Sequence, residues 1–255
     1  LWIALITMAF SANVFASLEI VITEGVDSAR PIGVVPFKWK GQGSMPGDIS
    51  KVVMADLMRS GKFNPVSVDK MPQYPETVEQ VSFTAWATLG VDTILVGSIE
   101  PQGGERYLVS YELIDVLKGQ VDNGQSKVLK DGNLVSSNDH VLAARQAVIN
   151  GRDFRQYAHR ISDIVYEKLT GVRGAFLTKI AYVIVRDRDT VEKPYQLVIA
   201  DYDGENETRL LSSPEPLMSP VWSPDGEKLA YVSFENRRPQ IFIQNIYTSE
   251  RTRIT

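Results

Sequence analysis

The chain has 255 residues, 44% of them hydrophobic, which is enough for two folded units with cores of their own. A net charge of −4 and the lack of any Lys/Arg run argue against a nucleic-acid surface. The absence of cysteine excludes a disulfide framework, a thiolate zinc site and a cysteine nucleophile.

Leu1–Phe10 is an apolar run, and the first charged residue is Glu19. Val14-Phe-Ala16 fits a small-x-small cleavage pattern with a cut before Ser17. The run is short for a membrane span, which needs about 20 apolar residues. It reads as an export signal peptide over residues 1–16 that lacks its basic start, with a buried strand or helix as the alternative. Residue 1 is Leu rather than Met, so the expectation is a piece of a longer polypeptide.

Leu18–Thr23 alternates and is β-branched, which predicts a strand. Pro31–Phe37 predicts a second, more buried one. Asp48 is placed to cap a helix whose apolar stripe runs through Ile49, Val52, Val53 and Asp56-Leu57 and stops at Gly61. A short helix follows over residues 82–90. Val91–Ile99 and Tyr107–Asp115 are the clearest strands, joined through a Pro-Gly-Gly turn region. Residues 118–139 are rich in Gly, Asn, Ser, Asp and Lys and predict a hairpin excursion. Val141–Ile149 fits either helix or strand. Arg152–Leu169 predicts an amphipathic helix with Phe154, Tyr157, Ile161, Ile164, Val165 and Leu169 on one side. Strands alternating with helices make this an α/β unit.

Beyond Gly174 the chain repeats. Ile180-Ala-Tyr-Val183 matches Leu229-Ala-Tyr-Val232 at an offset of 49. Gln196-Leu-Val-Ile199 matches Gln240-Ile-Phe-Ile243, and Thr208-Arg-Leu210 matches Thr252-Arg-Ile254, both at an offset of 44. The difference is a five-residue indel in the polar loop Arg186–Pro194. Pro224-Asp-Gly226 is a tight turn between two short strands. A period near 45 residues built of short strands is the pattern of a β-propeller blade. Two blades cannot close a ring, so further blades are expected in the full polypeptide.

Residues in both units together resemble the TolB family, the periplasmic component of the bacterial Tol-Pal system. They are Gly25-Val-Asp-Ser28 with Arg30–Phe37, Ser60–Pro65, Glu167–Gly171, Gly174-Ala-Phe176, Ile180–Val183, Asp201-Tyr-Asp-Gly204 and Pro216–Gly226. The resemblance implies an α/β domain with a mixed five-stranded sheet over residues 17–173, in which 141–149 is a strand. It implies the first two blades of a six-bladed propeller over residues 174–255, so the propeller here is incomplete. It further implies an adaptor without catalytic activity. Ser17, Leu18, Glu19, Ile20, Val21 and Ile22 resemble the segment that binds TolA at the inner membrane, by strand addition to a partner's sheet edge. The alternative is a plain first strand of the domain. Leu217, Met218 and Ser219 resemble part of the propeller face that takes the outer-membrane lipoprotein Pal, with core packing as the alternative. Colicin translocation segments are further partners by the same resemblance, and contact with membranes is through partners only.

Other chemistry is poorly supplied. Gly41, Gly43 and Gly47 precede a helix, but Pro46 occupies the third glycine's place of a dinucleotide loop, so no cofactor is expected. No Gly-x-Ser-x-Gly elbow is present. His140 and His159 are the two histidines, both expected to be solvated or half-buried. Asp201, Asp203 and Asp225 read as blade turns, with calcium at such turns as the alternative. The second functional reading is the non-catalytic propeller portion of an exported serine peptidase.

Overall fold

A computed structural model describes residues 29–121, 126–130, 133–137 and 139–255. The signal peptide at 1–16 and the strand expected at 18–23 lie outside the described residues.

The first unit is built from β1 (Arg30–Val34), β2 (Lys38–Trp39), α1 (Ile49–Arg59), β3 (Phe63–Pro65), α2 (Phe83–Thr88), β4 (Thr93–Pro101) and β5 (Arg106–Asp115). Then come α3 (Val116–Val121), the hairpin of β6 (Ser126–Lys130) and β7 (Asn133–Ser137), β8 (Val141–Asn150) and α4 (Phe154–Thr170). Five strands make a continuous sheet in the order β3-β1-β4-β5-β8, and the two-residue β2 adds beside β4 as a sixth. β1 is parallel to β3 and β4, whereas β4–β5 and β5–β8 are antiparallel, so the sheet is mixed.

The apolar run in β4 follows from burial on both faces. Leu95 and Ile99 pack toward α1 and α4 with Ile32, Val53, Leu57, Ile161 and Val165. Ile94 and Val96 face the opposite way, toward α2, around the fully buried Trp86. Asp48 caps α1 as expected, its carboxylate accepting the Lys51 backbone N–H at 3.0 Å. Gly61, at φ 67°, stops the helix.

Three readings are refined. The excursion at 118–139 opens inside α3, where Gly119 lies against the Phe83 ring, before turning into the β6–β7 hairpin. The ambiguous 141–149 segment is strand β8, paired with β5 from Tyr107↔Ile149 to Ile114↔Val141; that ladder overrides the helix preference of its alanines. His140, expected to be solvated or half-buried, is 3% exposed with its ring edge-on to Phe83. Its backbone carbonyl accepts the Asp115 N–H at the start of β8's pairing, which draws the side chain into the core.

The second unit has two stacked sheets. β9 (Lys179–Val185), β10 (Tyr195–Asp201) and β11 (Thr208–Ser213) form a three-stranded sheet in the order β11-β10-β9. β12 (Leu217–Trp222), β13 (Lys228–Ser233), β14 (Gln240–Asn245) and β15 (Arg251–Arg253) form a four-stranded one in chain order. The Pro-Asp-Gly turn joins β12 to β13: the Ser223 hydroxyl donates to Asp225 at 2.5 Å, and Gly226 takes φ 72°. Tyr195, Leu197 and Ile199 of the first sheet pack on Leu217, Leu229, Tyr231 and Phe242 of the second. Burying these rings and aliphatic chains, at about 25 cal/mol per Å² of apolar surface, holds blade to blade. Among the described residues no helix is long and apolar enough to cross a membrane.

Candidate functional site

The densest group of buried charge lies where the two units meet. α1 carries Asp56 and Arg59, one turn apart; α4 carries Arg155, His159 and Ser162; the turn between β10 and β11 supplies Tyr202 and Asp203. Asp56 is fully buried, and four side chains satisfy its carboxylate. On Oδ1 it accepts from Arg59 Nη2 at 2.7 Å and from the Tyr202 hydroxyl at 2.9 Å. On Oδ2 it meets His159 Nδ1 at 2.8 Å and accepts from the Ser162 hydroxyl at 2.6 Å. A buried carboxylate is tolerable only with such partners.

Asp203 is the counterpart on the blade. Its Oδ2 accepts from Arg59 Nη2 at 3.2 Å and from Arg155 Nη2. Arg59 therefore spans both carboxylates, while its Nε donates to the Tyr202 oxygen at 3.0 Å and its guanidinium lies 5.2 Å over the Tyr202 ring. Burial pushes the Tyr202 phenol up to about 12; the Arg59 hydrogen bond opposes this and the neighbouring Asp56 adds to it, so the hydroxyl stays a donor. Tyr202 stands edge-on to His159 and Phe176, at 5.6 and 5.5 Å between ring centroids. Asp163 of α4 adds a second tie, accepting the backbone N–H groups of Phe176 and Leu177 at 2.8 and 3.3 Å.

This overturns the expectation for His159, which is 2% exposed. It stands on the face of α4 that the blade covers. Asp56, His159 and Asp203 bring donor atoms within 4.8 Å of one another, a spacing open to a metal ion. Arg59 and Arg155 already place two cations on those carboxylates, with Arg59 Nη2 bonded to both, so the donor set is committed to ion pairs. The cluster acts as a clasp between the units. The signal for it in the sequence is a charged residue, Asp56, inside the apolar stripe of α1.

The sequence-predicted contact residues fall elsewhere. Ser17–Ile22 lie outside the described residues. Leu217, Met218 and Ser219 are the first three residues of β12. Leu217 is 3% exposed in the inter-blade core, whereas Met218 is 51% exposed and Ser219 has φ 51° beside a bulge between Met218 and Val221. Met218 and Ser219 line an open, largely apolar groove of 660 Å³ together with Ala181, Val183 and Val185. Asp201 and Asp225 sit in blade turns, Asp201 paired with Lys179 at 3.0 Å.

These features define a protein in which an α/β domain is clasped, through ion pairs on two buried carboxylates, to blades of a β-propeller. The model of the TolB amino-terminal domain matches residues 18–121, and that of the TolB beta propeller domain matches residues 166–255. The chain belongs to the TolB family. It is 46% identical over 236 residues to the Tol-Pal system protein TolB of Histophilus somni (strain 2336), a match covering 92% of this chain and 50% of that protein. It is 45% identical over the same length to the Tol-Pal system protein TolB of Pasteurella multocida (strain Pm70). The crystal structure of TolB from Acinetobacter baumannii superposes with a TM-score of 0.73 at 33% identity, covering 91% of this chain and 51% of that one. The chain thus spans about half the length of the relatives it matches.

Proposed function

We propose that this chain is part of a periplasmic, non-catalytic adaptor of the Tol-Pal system, linking TolA at the inner membrane to the outer-membrane lipoprotein Pal. The observation that supports this most is that the TolB similarity runs through both units, including the junction between them. In this reading residues 1–16 direct export and residues 17–173 form the domain that receives TolA. Ser17–Ile22 is the contact, adding as an extended segment to a partner's sheet. The propeller begins at 174, and Met218 with its neighbours contributes to the face that takes Pal. Met suits such a surface because its flexible thioether adapts to varied partners. The adaptor supports outer-membrane integrity and invagination at division, and colicins exploit it for import.

A chimera tests this reading. Residues 1–255 replace the matching half of a curated relative, with the relative's own export start restored, in cells lacking their own protein. Restored resistance to detergent and large antibiotics is expected. A chimera present in the periplasm at normal level that leaves the envelope leaky refutes the assignment.

A further inference from the structure

We propose that a polar pocket on the α2 face of the first sheet takes a lysine or arginine side chain, carried on a partner's extended segment that lies along the free edge of β8. The pocket is a cavity of 440 Å³ floored by three strands. Ser98 of β4 stands beside Ser110 of β5, and Ser110 beside Gln146 of β8, so two hydroxyls and an amide form one row across the sheet. The next row is Val96, Glu112 and Ala144. Farther along, this face turns apolar, with Ile94 and Ile114 packed against Phe83 and Trp86 of α2. Glu76 and Thr77, on the loop before α2, complete the walls. Ser98 is 8% exposed, yet among the described residues no group hydrogen-bonds its hydroxyl, which is left to the cavity.

The charge in the pocket is negative. Glu112 Oε2 accepts the Val78 N–H at 2.7 Å, and among the described residues this carboxylate has no Lys or Arg as an ion-pair partner. Glu76 lies 3.3 Å from Lys40, whose side chain is 41% exposed. Burial pushes the Glu112 carboxyl above its ordinary value and the Glu79 charge adds to this, against the Val78 hydrogen bond and His140. Arg145 lends its backbone to the lining; its side chain stands with Tyr111 in the ladder, and its charge acts on Tyr111 and Tyr157 on the α4 side. A seated ammonium or guanidinium would supply the missing cation to Glu112 and donate to the Ser98, Ser110 and Gln146 oxygens.

The route in is along β8, which ends the sheet and is bonded to β5 alone among the described strands. The Gly151 N–H donates to the Glu105 carbonyl, so odd-numbered residues of β8 bond toward β5. Ala144, Gln146 and Val148 therefore turn their N–H and C=O groups outward. Ala144 and Gln146 also line the pocket, so an unpaired edge and an acidic cavity coincide. A strand added at this edge sets alternate side chains over the face that holds the pocket. Leu108 and Val148 form the row beyond Ser110 and Gln146, and Val148 is 56% exposed, leaving apolar surface for the stem of a basic residue. The site uses none of the residues assigned above to TolA or Pal.

The probes are N-acetyl-lysine methylamide and N-acetyl-arginine methylamide, with the norleucine compound as neutral control. Each is titrated into the isotope-labelled 255-residue chain and followed by amide NMR. Saturable shifts at Ser98, Ser110, Ala144 and Gln146 are expected with at least one basic probe, and the stronger response tells ammonium from guanidinium. The norleucine compound should bind about tenfold or more weakly, and Glu112→Gln should weaken the basic probe by as much. Should Glu112→Gln misfold by circular dichroism, the comparison with norleucine decides. The blocked peptide Val-Thr-Lys-Thr-Val, or its arginine counterpart, should bind more tightly than the single residue and shift Val148 as well. Shifts absent from these amides, equal for norleucine, or unchanged in a folded Glu112→Gln chain overturn the proposal. A peptide no tighter than the single residue overturns it too, since the edge of β8 then adds nothing.

Discussion

Asp56→Ala is the sharpest perturbation of the clasp. The carboxylate is wholly buried and takes four contacts, from Arg59, Tyr202, His159 and Ser162. Its removal strands the Tyr202 hydroxyl and leaves Arg59 and Arg155 both on Asp203, with an excess of positive charge there. Breaking a fully buried ion pair from one side costs about 3–5 kcal/mol, and because Arg59 is 43% exposed and keeps Asp203 the lower end of that range is expected here. At ~2–4 °C per kcal/mol for a protein of this size, melting falls by on the order of 10 °C. Asp56→Asn keeps the shape and one acceptor oxygen, but its amide presents N–H where His159 and Ser162 need an acceptor, so a loss of about 2 kcal/mol is expected. Urea denaturation followed by circular dichroism measures the energy. Limited proteolysis of residues 171–178 reports where it is felt, since a loosened clasp exposes the segment tied by Asp163. An Ala variant within about 0.5 kcal/mol of the parent, with unchanged cleavage at 171–178, would refute the reasoning.

Tyr202→Phe removes one donor from Asp56 while keeping the ring against His159 and Phe176; a loss of about 1.5–3 kcal/mol in urea denaturation is expected, as for hydrogen bonds to charged groups. Gly33→Ala puts a methyl 2.8 Å from the Trp86 ring and 2.9 Å from Ile94, and should cost about 1–3 kcal/mol in the same assay. Asp201→Asn tests acid stability. Burial tends to raise the Asp201 pKa, but hydrogen bonds from Lys179 and Asn206 outweigh it and hold the carboxyl below its usual range. With the folded pKa below the unfolded one, the contribution is present above the unfolded value of about 4 and lost as pH falls through the folded one. Stability of the parent should therefore drop more steeply below about pH 4 than that of Asp201→Asn, and parallel curves would count against the pairing.

Much of the architecture was legible because local and global signals agreed. Asp48 and Gly61 bracket α1 by cap chemistry, and the Ala-Tyr-Val pairs mark two blades without any knowledge of packing. β8 was not legible from its own residues, because only its ladder with β5 makes it a strand. The clasp was missed for a related reason. Asp56, His159 and Asp203 are far apart in sequence, and each alone fits a helix face or a turn. What could be read was the misfit of a carboxylate in the stripe of α1; the guanidinium groups that neutralise it come from three-dimensional packing.

In the proposed function, contact with the inner-membrane partner is carried by Ser17–Ile22. Calorimetric titration of the periplasmic C-terminal domain of TolA into residues 17–255, beside residues 23–255, tests it most directly. Saturable binding by the longer form that disappears without Ser17–Ile22 is the predicted result. Equal binding by both forms, or none by a folded longer form, would contradict it.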